Sequence, residues 1–323
     1  MRDQYSVYTG KLTNLQCAIY QGGLIKYWAL LQELTVRQII RLGMILLSTL
    51  ITTISCGADE TGSRSQGCGR AAPATLPTSI QVGDHLREFI SVVPEPYDAS
   101  IAHRLIFAFH GRTTPNIRVR KYYRLEENSG KPTIFVYPAG LIAKDGKYSW
   151  YESSNPRDRL RDFALFDTLL ETFSADYCID LDQIFAVGHS LGASFANGLG
   201  CARGSVIRGV GTVAGRIWDI KCSGPAAAII MHNPNDNLVP VSRGFNARDR
   251  ALTQNGLEPP ARPCEPRTLN CECYGPPDTP NPVIWCPHTE DHNRRGKFYP
   301  HLWPKEAGST IMEFFDSLPA SGH

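Results

Sequence analysis

The sequence predicts an α/β fold, with a doubly wound, mostly parallel sheet preceded by antiparallel opening strands. Short apolar segments of strand length alternate along the chain with longer segments of helical periodicity, and this order is typical of a parallel sheet with helices on both faces. The 323 residues are 42% hydrophobic and 20% charged, which is ordinary for a globular protein and sufficient for one large core.

The first 56 residues have the layout of an export signal. Arg37 and Arg41 precede an uncharged apolar run, Leu42–Ser55, and Cys56 follows directly. As a helix this run would span about 20 Å at roughly 1.5 Å per residue, which is shorter than a bilayer core of about 30 Å. We therefore expect a cleaved leader and no permanent transmembrane anchor.

The end of this run resembles a bacterial lipoprotein box, which implies a lipid anchor at Cys56. Thr53 stands where leucine is usual, so simple secretion is the alternative. Residues 1–41 are longer than a normal leader, and a true start near Met44 would explain their length. We exclude residues 1–56 from the fold and expect a secreted protein, or a cell-surface or outer-membrane lipoprotein.

A flexible tether is predicted over residues 57–66, which contain no apolar side chain except one alanine. A single domain is expected over residues 67–323. It opens with alternating apolar and polar residues over Ser79–Pro94, which predict an antiparallel pair of strands that turns at Gly83 and Asp84.

The rest of the domain follows the alternating pattern. The predicted central strands are Leu105–Phe109, Thr133–Tyr137, Ile184–Val187 and Ala227–Met231. The predicted helices are Leu160–Phe173, Leu191–Leu199 and Glu306–Leu318. The region Glu258–Pro282 has many prolines and three cysteines without apolar periodicity, so we expect a long excursion held by disulfides.

A catalytic serine is indicated by the pentapeptide GHSLG at Gly188–Gly192, which lies directly after a predicted strand and directly before a predicted helix. In the α/β-hydrolase fold such a GxSxG motif holds the nucleophile in a strained turn, and its glycines let strand and helix approach closely. The prediction is that Ser190 is the nucleophile; the alternative is a helix-capping serine. His189, beside it, is a candidate substrate-binding residue.

A serine hydroxyl attacks an ester when a base takes its proton and an acid holds that base in the right tautomer. The fold supplies these groups in the order Ser, Asp, His. Asp236 lies in a loop after a predicted strand and is the candidate acid, although an aspartate that only caps the turn is the alternative. His301, just before the last helix, is the candidate base, with His292 as the alternative.

The oxyanion that forms during ester cleavage needs preorganised N–H donors. One candidate donor is the backbone amide of Leu191, directly after the nucleophile. The other is the amide of Arg112, in the turn of His110, Gly111 and Arg112 that follows a predicted strand. We expect these two amides to form the oxyanion hole.

Taken in order, these motifs resemble the α/β-hydrolase family that groups feruloyl esterases with extracellular polyhydroxybutyrate depolymerases and is similar to carbohydrate esterase family 1. The matching segments are GCGR at Gly67, LIFAFHGR at Leu105, IFVYPAGL at Ile134, YCIDLDQIFAVGHSLG at Tyr177, HNPNDNLVP at His232, PVIWC at Pro282 and HLWP at His301. This ordered set is far more specific than any single motif.

The resemblance implies an acyl-enzyme mechanism without a cofactor, on esters of plant cell-wall hydroxycinnamates or on short-chain polyesters. It supports His301, because the family places the base in a His-X-Trp-Pro pattern. It also matches Trp150 to a tryptophan near the substrate cleft, with an ordinary packed aromatic as the alternative. Two glycines often precede the family's histidine, whereas Tyr299 and Pro300 stand there in this chain after an insertion.

Charge and composition restrict the partners. The net charge is +2, so the chain lacks the basic field that binds nucleic acid. A basic run between Arg112 and Arg124 is followed by Glu126 and Glu127, and we interpret it as a solvated face. The expected partner is a small or polysaccharide-linked ester, no metal is expected, and the protein is expected to be a monomer.

Ten cysteines suit an oxidising compartment. Eight remain after the leader, and they allow 105 pairings that sequence alone does not distinguish. Cys178 and Cys201 flank the nucleophile strand and helix, so their pairing is the first hypothesis. Zinc binding by Cys271, Cys273, Cys286 and His288 is disfavoured, because zinc requires reduced thiolates.

Three functions are compatible with these residues. The leading hypothesis is a feruloyl esterase, and a polyhydroxybutyrate or other polyester depolymerase or an acetylxylan esterase would use the same chemistry. A non-catalytic lipoprotein that binds a ligand in a hydrolase cleft is the third. The simultaneous presence of nucleophile, acid and base argues against this last hypothesis.

Overall fold

The computed structural model describes residues 63–150, 156–264 and 269–319, without the side chains of residues 156–159. The predicted leader, the proposed lipid anchor at Cys56 and residues 57–62 of the predicted tether lie outside these ranges. Within them, no helix has the length and apolar character needed to cross a membrane.

A large sheet organises the described part of the chain. Its strands are β1 Ser79–Val82, β2 His85–Val92, β3 His103–Phe109, β4 Thr133–Pro138, β7 Ile179–His189, β8 Gly209–Val213, β9 Ala227–His232, β10 Arg262–Pro263, β11 Glu272–Tyr274 and β12 Val283–Pro287. A separate small hairpin consists of β5 Leu141–Ile142 and β6 Tyr148–Ser149.

The strand order is β1-β2-β4-β3-β7-β8-β9-β12-β11-β10. The six strands from β4 to β12 in this order run parallel, and the antiparallel strands lie at the two edges. The predicted α/β-hydrolase fold with antiparallel opening strands is therefore confirmed, and the first hairpin turns at Gly83 and Asp84 as predicted.

Helices cover both faces of this sheet. They are α1 Asn116–Tyr123, α2 Pro156–Asp176, α3 Leu191–Ala202, α4 Val241–Asn255 and α5 Ala307–Ser317. The sequence predicts α2, α3 and α5 but neither α1 nor α4. The basic run that we interpret as a solvated face includes α1, and its residues Arg120 and Arg124 pair with Glu126 and Glu127.

Strand β3 shows why the central segments are apolar at every position. Leu105, Phe107 and Phe109 are buried in the core that includes α2 and α3, whereas Ile106 and Ala108 are buried in the core that includes α1 and α5. Successive side chains of a strand point to opposite faces. A strand covered on both faces therefore has no solvent-facing position for a polar residue.

The fold begins before the predicted boundary at Gly67. The backbone N–H of Ser65 donates to Ile179 at 2.9 Å, and the N–H of Leu181 donates to Ser63 at 2.7 Å. Residues 63–65, predicted as part of the flexible tether, are thus attached to the start of β7. Sequence reasoning missed this because the attachment uses backbone hydrogen bonds and needs no apolar side chain.

Four disulfides join the eight cysteines: Cys68–Cys178, Cys201–Cys222, Cys264–Cys273 and Cys271–Cys286. The hypothesis that Cys178 pairs with Cys201 is wrong, because Cys178 is bonded to Cys68 and Cys201 is bonded to Cys222. Disulfides hold the proline-rich excursion, as predicted: Cys271–Cys286 ties it to β12, and Cys264–Cys273 lies within it. They also occupy the three cysteines considered as zinc ligands.

Arg87 in β2 and Asp162 in α2 form a fully buried ion pair, with 2.8 Å between Nη1 and Oδ1. Removal of one member leaves the other charge buried, although Arg161 still contacts Asp162. We predict that Arg87→Met lowers the free energy of unfolding by about 3 kcal/mol in urea titrations. The exposed pair of Arg124 provides the control, because Arg124→Met should cost less than about 1 kcal/mol. Equal effects of the two variants would contradict this assignment.

Candidate active site

Ser190 lies at the sharp turn between the end of β7 and the start of α3, with a positive φ of 58°. Close packing at this turn explains the two glycines of the motif. A Cβ on Gly188 would lie 2.3 Å from the carbonyl carbon of Gly192, and a Cβ on Gly192 would lie 2.1 Å from the carbonyl oxygen of Phe109. Any side chain at either position would push the strand, the turn and the helix apart.

A continuous chain of hydrogen bonds connects the three residues predicted as nucleophile, base and acid. The Ser190 Oγ lies 2.8 Å from Nε2 of His301, and Nδ1 of His301 lies 2.6 Å from Oδ2 of Asp236. Asp236 and His301 are buried. In this arrangement Nδ1–H donates to the carboxylate, which leaves Nε2 to accept the serine proton.

The Asp236 carboxylate is held from several sides. Its Oδ1 accepts the backbone N–H groups of Leu238 at 2.9 Å and Val239 at 3.0 Å. Burial alone would raise the pKa of Asp236, but hydrogen bonds from His232, His301 and Val239 outweigh burial and hold the pKa well below its usual value. The acid therefore remains ionised across the neutral range.

His232 is a functional candidate that sequence reasoning missed. Its Nε2 lies 2.7 Å from the carbonyl oxygen of Val239 and 3.4 Å from Oδ2 of Asp236. A Cβ on Gly244 would lie 2.5 Å from its Nδ1, so α4 packs directly on the ring. The signal in the sequence is its position at the end of β9, four residues before Asp236.

The turn of His110, Gly111 and Arg112 lies beside Ser190. A Cβ on Gly111 would be 3.4 Å from Ser190 Cβ. The Nδ1–H of His110 donates to Gly111 at 2.7 Å, and its Nε2 accepts the N–H of Gly140 at 2.8 Å. Burial lowers the pKa of His110 to about 4, so the ring is neutral and fixes the turn through both nitrogens.

The two predicted oxyanion donors come from separate parts of the chain, one directly after Ser190 and one in the turn after β3. Leu191 is the first residue of α3, where the backbone N–H has no intrahelical acceptor. Arg112 follows Gly111, and its guanidinium pairs with Asp145 of the β5–β6 hairpin at 2.8 Å. The participation of both amides stays a prediction.

Trp150 is packed beside the turn of His110, and its substrate-binding role stays a prediction. Its side chain is fully buried, stacks on Phe195 and meets Phe109 edge to face. Its indole N–H donates to the carbonyl oxygen of His110 at 2.7 Å. The tryptophan thus supports the turn beside Ser190 through this hydrogen bond.

His189 lies next to His301, with 5.1 Å between the two ring centroids. Its Nδ1 is 3.5 Å from the hydroxyl of Tyr122. Burial, together with the nearby charge of His301, lowers the pKa of His189 to about 3, so its ring is neutral. Its substrate-binding role stays a prediction.

His292, the alternative base, is exposed and lies 2.6 Å from Asp291. It belongs to a short hairpin, where it pairs with Phe298. Among the described residues, the histidine hydrogen-bonded to Ser190 is His301. The geometry thus favours the first candidate base over the second.

Buried histidines make the fold sensitive to acid. Burial lowers the pKa of His288 to about 4, as it does for His110. Between the unfolded pKa of about 6.5 and these values, the unfolded chain binds protons that the folded chain does not. The contribution of these neutral histidines to the free energy of unfolding is therefore fully present above about pH 6.5, and it is lost as the pH drops towards 4.

His288 offers the clearest test, because it is fully buried and neither ring nitrogen has a hydrogen-bond partner among the described residues. We predict that His288→Leu reduces the loss of unfolding free energy between pH 7 and pH 5 by about 2 kcal/mol in urea titrations. The exposed His292 is the control, and His292→Gln should leave that loss unchanged. If His288→Leu keeps the full acid sensitivity of the wild type, the assignment is wrong.

No family model matches the chain. The chain is 32% identical over 224 residues to a probable feruloyl esterase C from Aspergillus terreus, and this alignment covers 67% of the chain and 78% of the relative. It is 28% identical over 273 residues to feruloyl esterase D from Neurospora crassa, with 77% and 88% covered.

Solved structures share the fold. A CE1 ferulic acid esterase from Anaeromyces mucronatus, in complex with ferulic acid, has 15% identity and a TM-score of 0.50 over 77% of this chain and 94% of its own. A carboxylesterase from Bacillus cereus has 13% identity and a TM-score of 0.50 over 71% and 93%.

Fold, site geometry and relatives together define the class: the protein is a carboxylic-ester hydrolase with the α/β-hydrolase fold. Within that class it belongs to the feruloyl esterase family.

Proposed function

We propose that the protein is an exported serine esterase that hydrolyses hydroxycinnamate esters of plant cell-wall polysaccharides. Ser190 is the nucleophile, His301 the general base and acid, and Asp236 the residue that orients and stabilises His301. The observation that carries this proposal is the unbroken hydrogen-bond chain from Ser190 Oγ through His301 to Asp236.

Acylation follows from this geometry. Ser190 Oγ attacks the ester carbonyl carbon while Nε2 of His301 takes its proton, and the carbonyl electron pair moves to the oxygen. The amides of Leu191 and Arg112 donate hydrogen bonds to that oxyanion. When the carbonyl reforms, the C–O bond to the alcohol breaks, and the alcohol leaves with the proton from His301.

Deacylation repeats the same steps with water as the nucleophile. His301 Nε2 takes a proton from water, the hydroxide attacks the acyl-serine, and the released Ser190 oxygen recovers the proton. Asp236 stays ionised throughout and stabilises the imidazolium form of His301 in both halves of the reaction.

An aromatic acyl group suits the rings around the base. Tyr299 lies 6.1 Å from His301 between ring centroids, and Tyr122 and Trp303 lie 6.4 and 6.3 Å from His189. Such rings offer flat apolar surfaces to a hydroxycinnamate. The names of the relatives from Aspergillus terreus and Neurospora crassa support the same acyl group.

Export is supported by two independent features. The N-terminal sequence has the layout of a leader. Eight cysteines form four disulfides, and such bonds persist in oxidising compartments.

The test is hydrolysis of methyl ferulate beside a short-chain p-nitrophenyl ester, with Ser190→Ala as the blank. We expect the wild type to cleave both esters and the variant to cleave neither above background. Cleavage of the short ester alone would retain the serine mechanism but overturn the hydroxycinnamate assignment in favour of acetyl or polyester substrates. Folded wild-type protein that cleaves neither would overturn the proposed mechanism.

A further inference from the structure

A short hairpin, residues 291–299, lies between β12 and His301. We name it the basic hairpin. The N–H of Tyr299 donates to Asp291 at 2.6 Å, and His292 pairs with Phe298.

At the tip, the N–H of Asn293 donates to Lys297 at 2.9 Å and the N–H of Gly296 donates to Asn293 at 2.8 Å. The side-chain oxygen of Asn293 accepts the N–H groups of two further tip residues, Arg295 and Lys297. The backbone of the tip is therefore preorganised.

The tip presents three exposed cations, Arg294, Arg295 and Lys297. None of the ion pairs formed within the described parts of the chain involves them. The two acidic residues where the hairpin begins contact groups other than these three cations. Asp291 pairs with His292, and Glu290 accepts the backbone N–H of Lys305.

Apolar surface connects these cations to the candidate active site. Phe298 is 51% exposed and Tyr299 is 39% exposed, and the ring of Tyr299 approaches His301. Leu238, two residues after Asp236, is 60% exposed. An antiparallel strand advances about 3.4 Å per residue, so the cations lie within roughly 15 Å of Tyr299.

We propose that the basic hairpin binds a carboxylate-bearing polysaccharide, the anionic sugar chain to which the scissile ester is attached. This inference rests on the proposed function. Positive charge at the tip complements uronic carboxylates, and the exposed aromatic rings offer apolar faces to sugar rings. Because the hairpin leads directly to His301, a chain bound along it places its ester substituents at Ser190. This position favours a substrate over a nucleic acid or a membrane as the occupant.

The experiment compares two feruloylated oligosaccharides of equal length, one bearing galacturonate residues and one neutral, at low and at high ionic strength. The variant combines Arg294→Gln, Arg295→Gln and Lys297→Gln. The matched control combines Arg70→Gln, Lys131→Gln and Lys221→Gln, which removes three exposed cations near the amino-terminal ends of the parallel strands, whereas Ser190 follows the carboxyl end of β7. Lys131 lies two residues before β4. Arg70 lies near the disulfide at the start of β7, and Lys221 is next to Cys222, which is bonded to Cys201 at the end of α3.

For the wild type we expect kcat/KM on the anionic ester to exceed that on the neutral ester by about tenfold at low salt, and this preference should disappear at high salt. The hairpin variant should lose the preference and keep its rate on the neutral ester within about twofold. The control should retain the preference. Absence of the preference in the wild type, or an equal loss in the control, overturns the proposal.

A binding measurement separates this proposal from the proposed function. Calorimetric titration of Ser190→Ala enzyme with polygalacturonate needs no catalysis, and we expect the three hairpin substitutions to weaken binding about tenfold. Hairpin-dependent binding of polygalacturonate supports the binding role of the basic hairpin even if no ferulate ester is hydrolysed. Hydrolysis of ferulate esters without such binding refutes the role of the hairpin but leaves the proposed function intact. Equally tight binding of DNA or of anionic phospholipid vesicles overturns the carbohydrate assignment.

Discussion

Ser190→Ala and His301→Ala should each lower kcat by about a millionfold, and the double variant should be no slower than either single one. The physical reason is that Oγ and Nε2, 2.8 Å apart, act as one unit. Without the imidazole the hydroxyl keeps its proton, and without the hydroxyl the imidazole activates nothing. The rates are measured on a p-nitrophenyl ester under single-turnover conditions.

The control for His301 is the alternative base. His292→Ala should retain activity within about twofold, since its imidazole is exposed and paired with Asp291. Thermal unfolding of each variant verifies that the fold persists. If the effects of Ser190→Ala and His301→Ala multiply in the double variant, the two residues act independently and the proposed pair is wrong.

Asp236→Asn should lower kcat by about ten-thousandfold without unfolding the protein. Oδ1 accepts two backbone N–H groups, from Leu238 and Val239, so the asparagine oxygen keeps that position. Its NH2 group then faces Nδ1 of His301 and donates to it. The ring proton moves to Nε2, which can no longer accept the proton of Ser190.

Asp291→Asn is a matched control, because it alters another carboxylate 2.6 Å from a histidine, but on the exposed hairpin. We expect its kcat to stay within about twofold of the wild type. A loss of less than about tenfold for Asp236→Asn would show that another group holds the tautomer of His301, and His232 would be the first residue to examine.

Strong local patterns in the sequence predict most of the fold. The four predicted central strands are present because each is buried on both faces, which leaves continuous apolar runs. Strand β8 is different, because two of its five residues, GVGTV, are glycines that interrupt the apolar run. A Cβ on Gly211 would lie 2.4 Å from Ile311, so glycine is required there for the approach of α5, and local sequence does not reveal that contact.

Helix α4 also lacks a sequence signal. Among its residues only Gly244, Ala247 and Leu252 are buried, so the apolar stripe that normally predicts a helix is thin. Disulfide pairing depends on which cysteines approach in space, which explains the wrong hypothesis for Cys178 and Cys201.

For the candidate site, order along the chain was more informative than residue type. Asp236 follows Ser190 by 46 residues, and His301 follows Asp236 by 65. Each nevertheless follows a predicted strand or precedes a predicted helix, and parallel strands bring such loops to one edge of the sheet. Trp150 shows the limit of this reasoning. Its position in a motif is compatible with a cleft residue and with a core residue, and the local sequence does not reveal that its side chain is fully buried.

The most direct test of the central claim is labelling with a serine-directed phosphonate, read by intact mass and peptide mapping. The nucleophile acts only when His301 withdraws its proton, so a reactive serine identifies the assembled site rather than the motif alone. We predict one adduct per wild-type chain, located on Ser190, and none on Ser190→Ala or His301→Ala. An unlabelled but folded wild-type protein, or an adduct on another residue, would contradict the account.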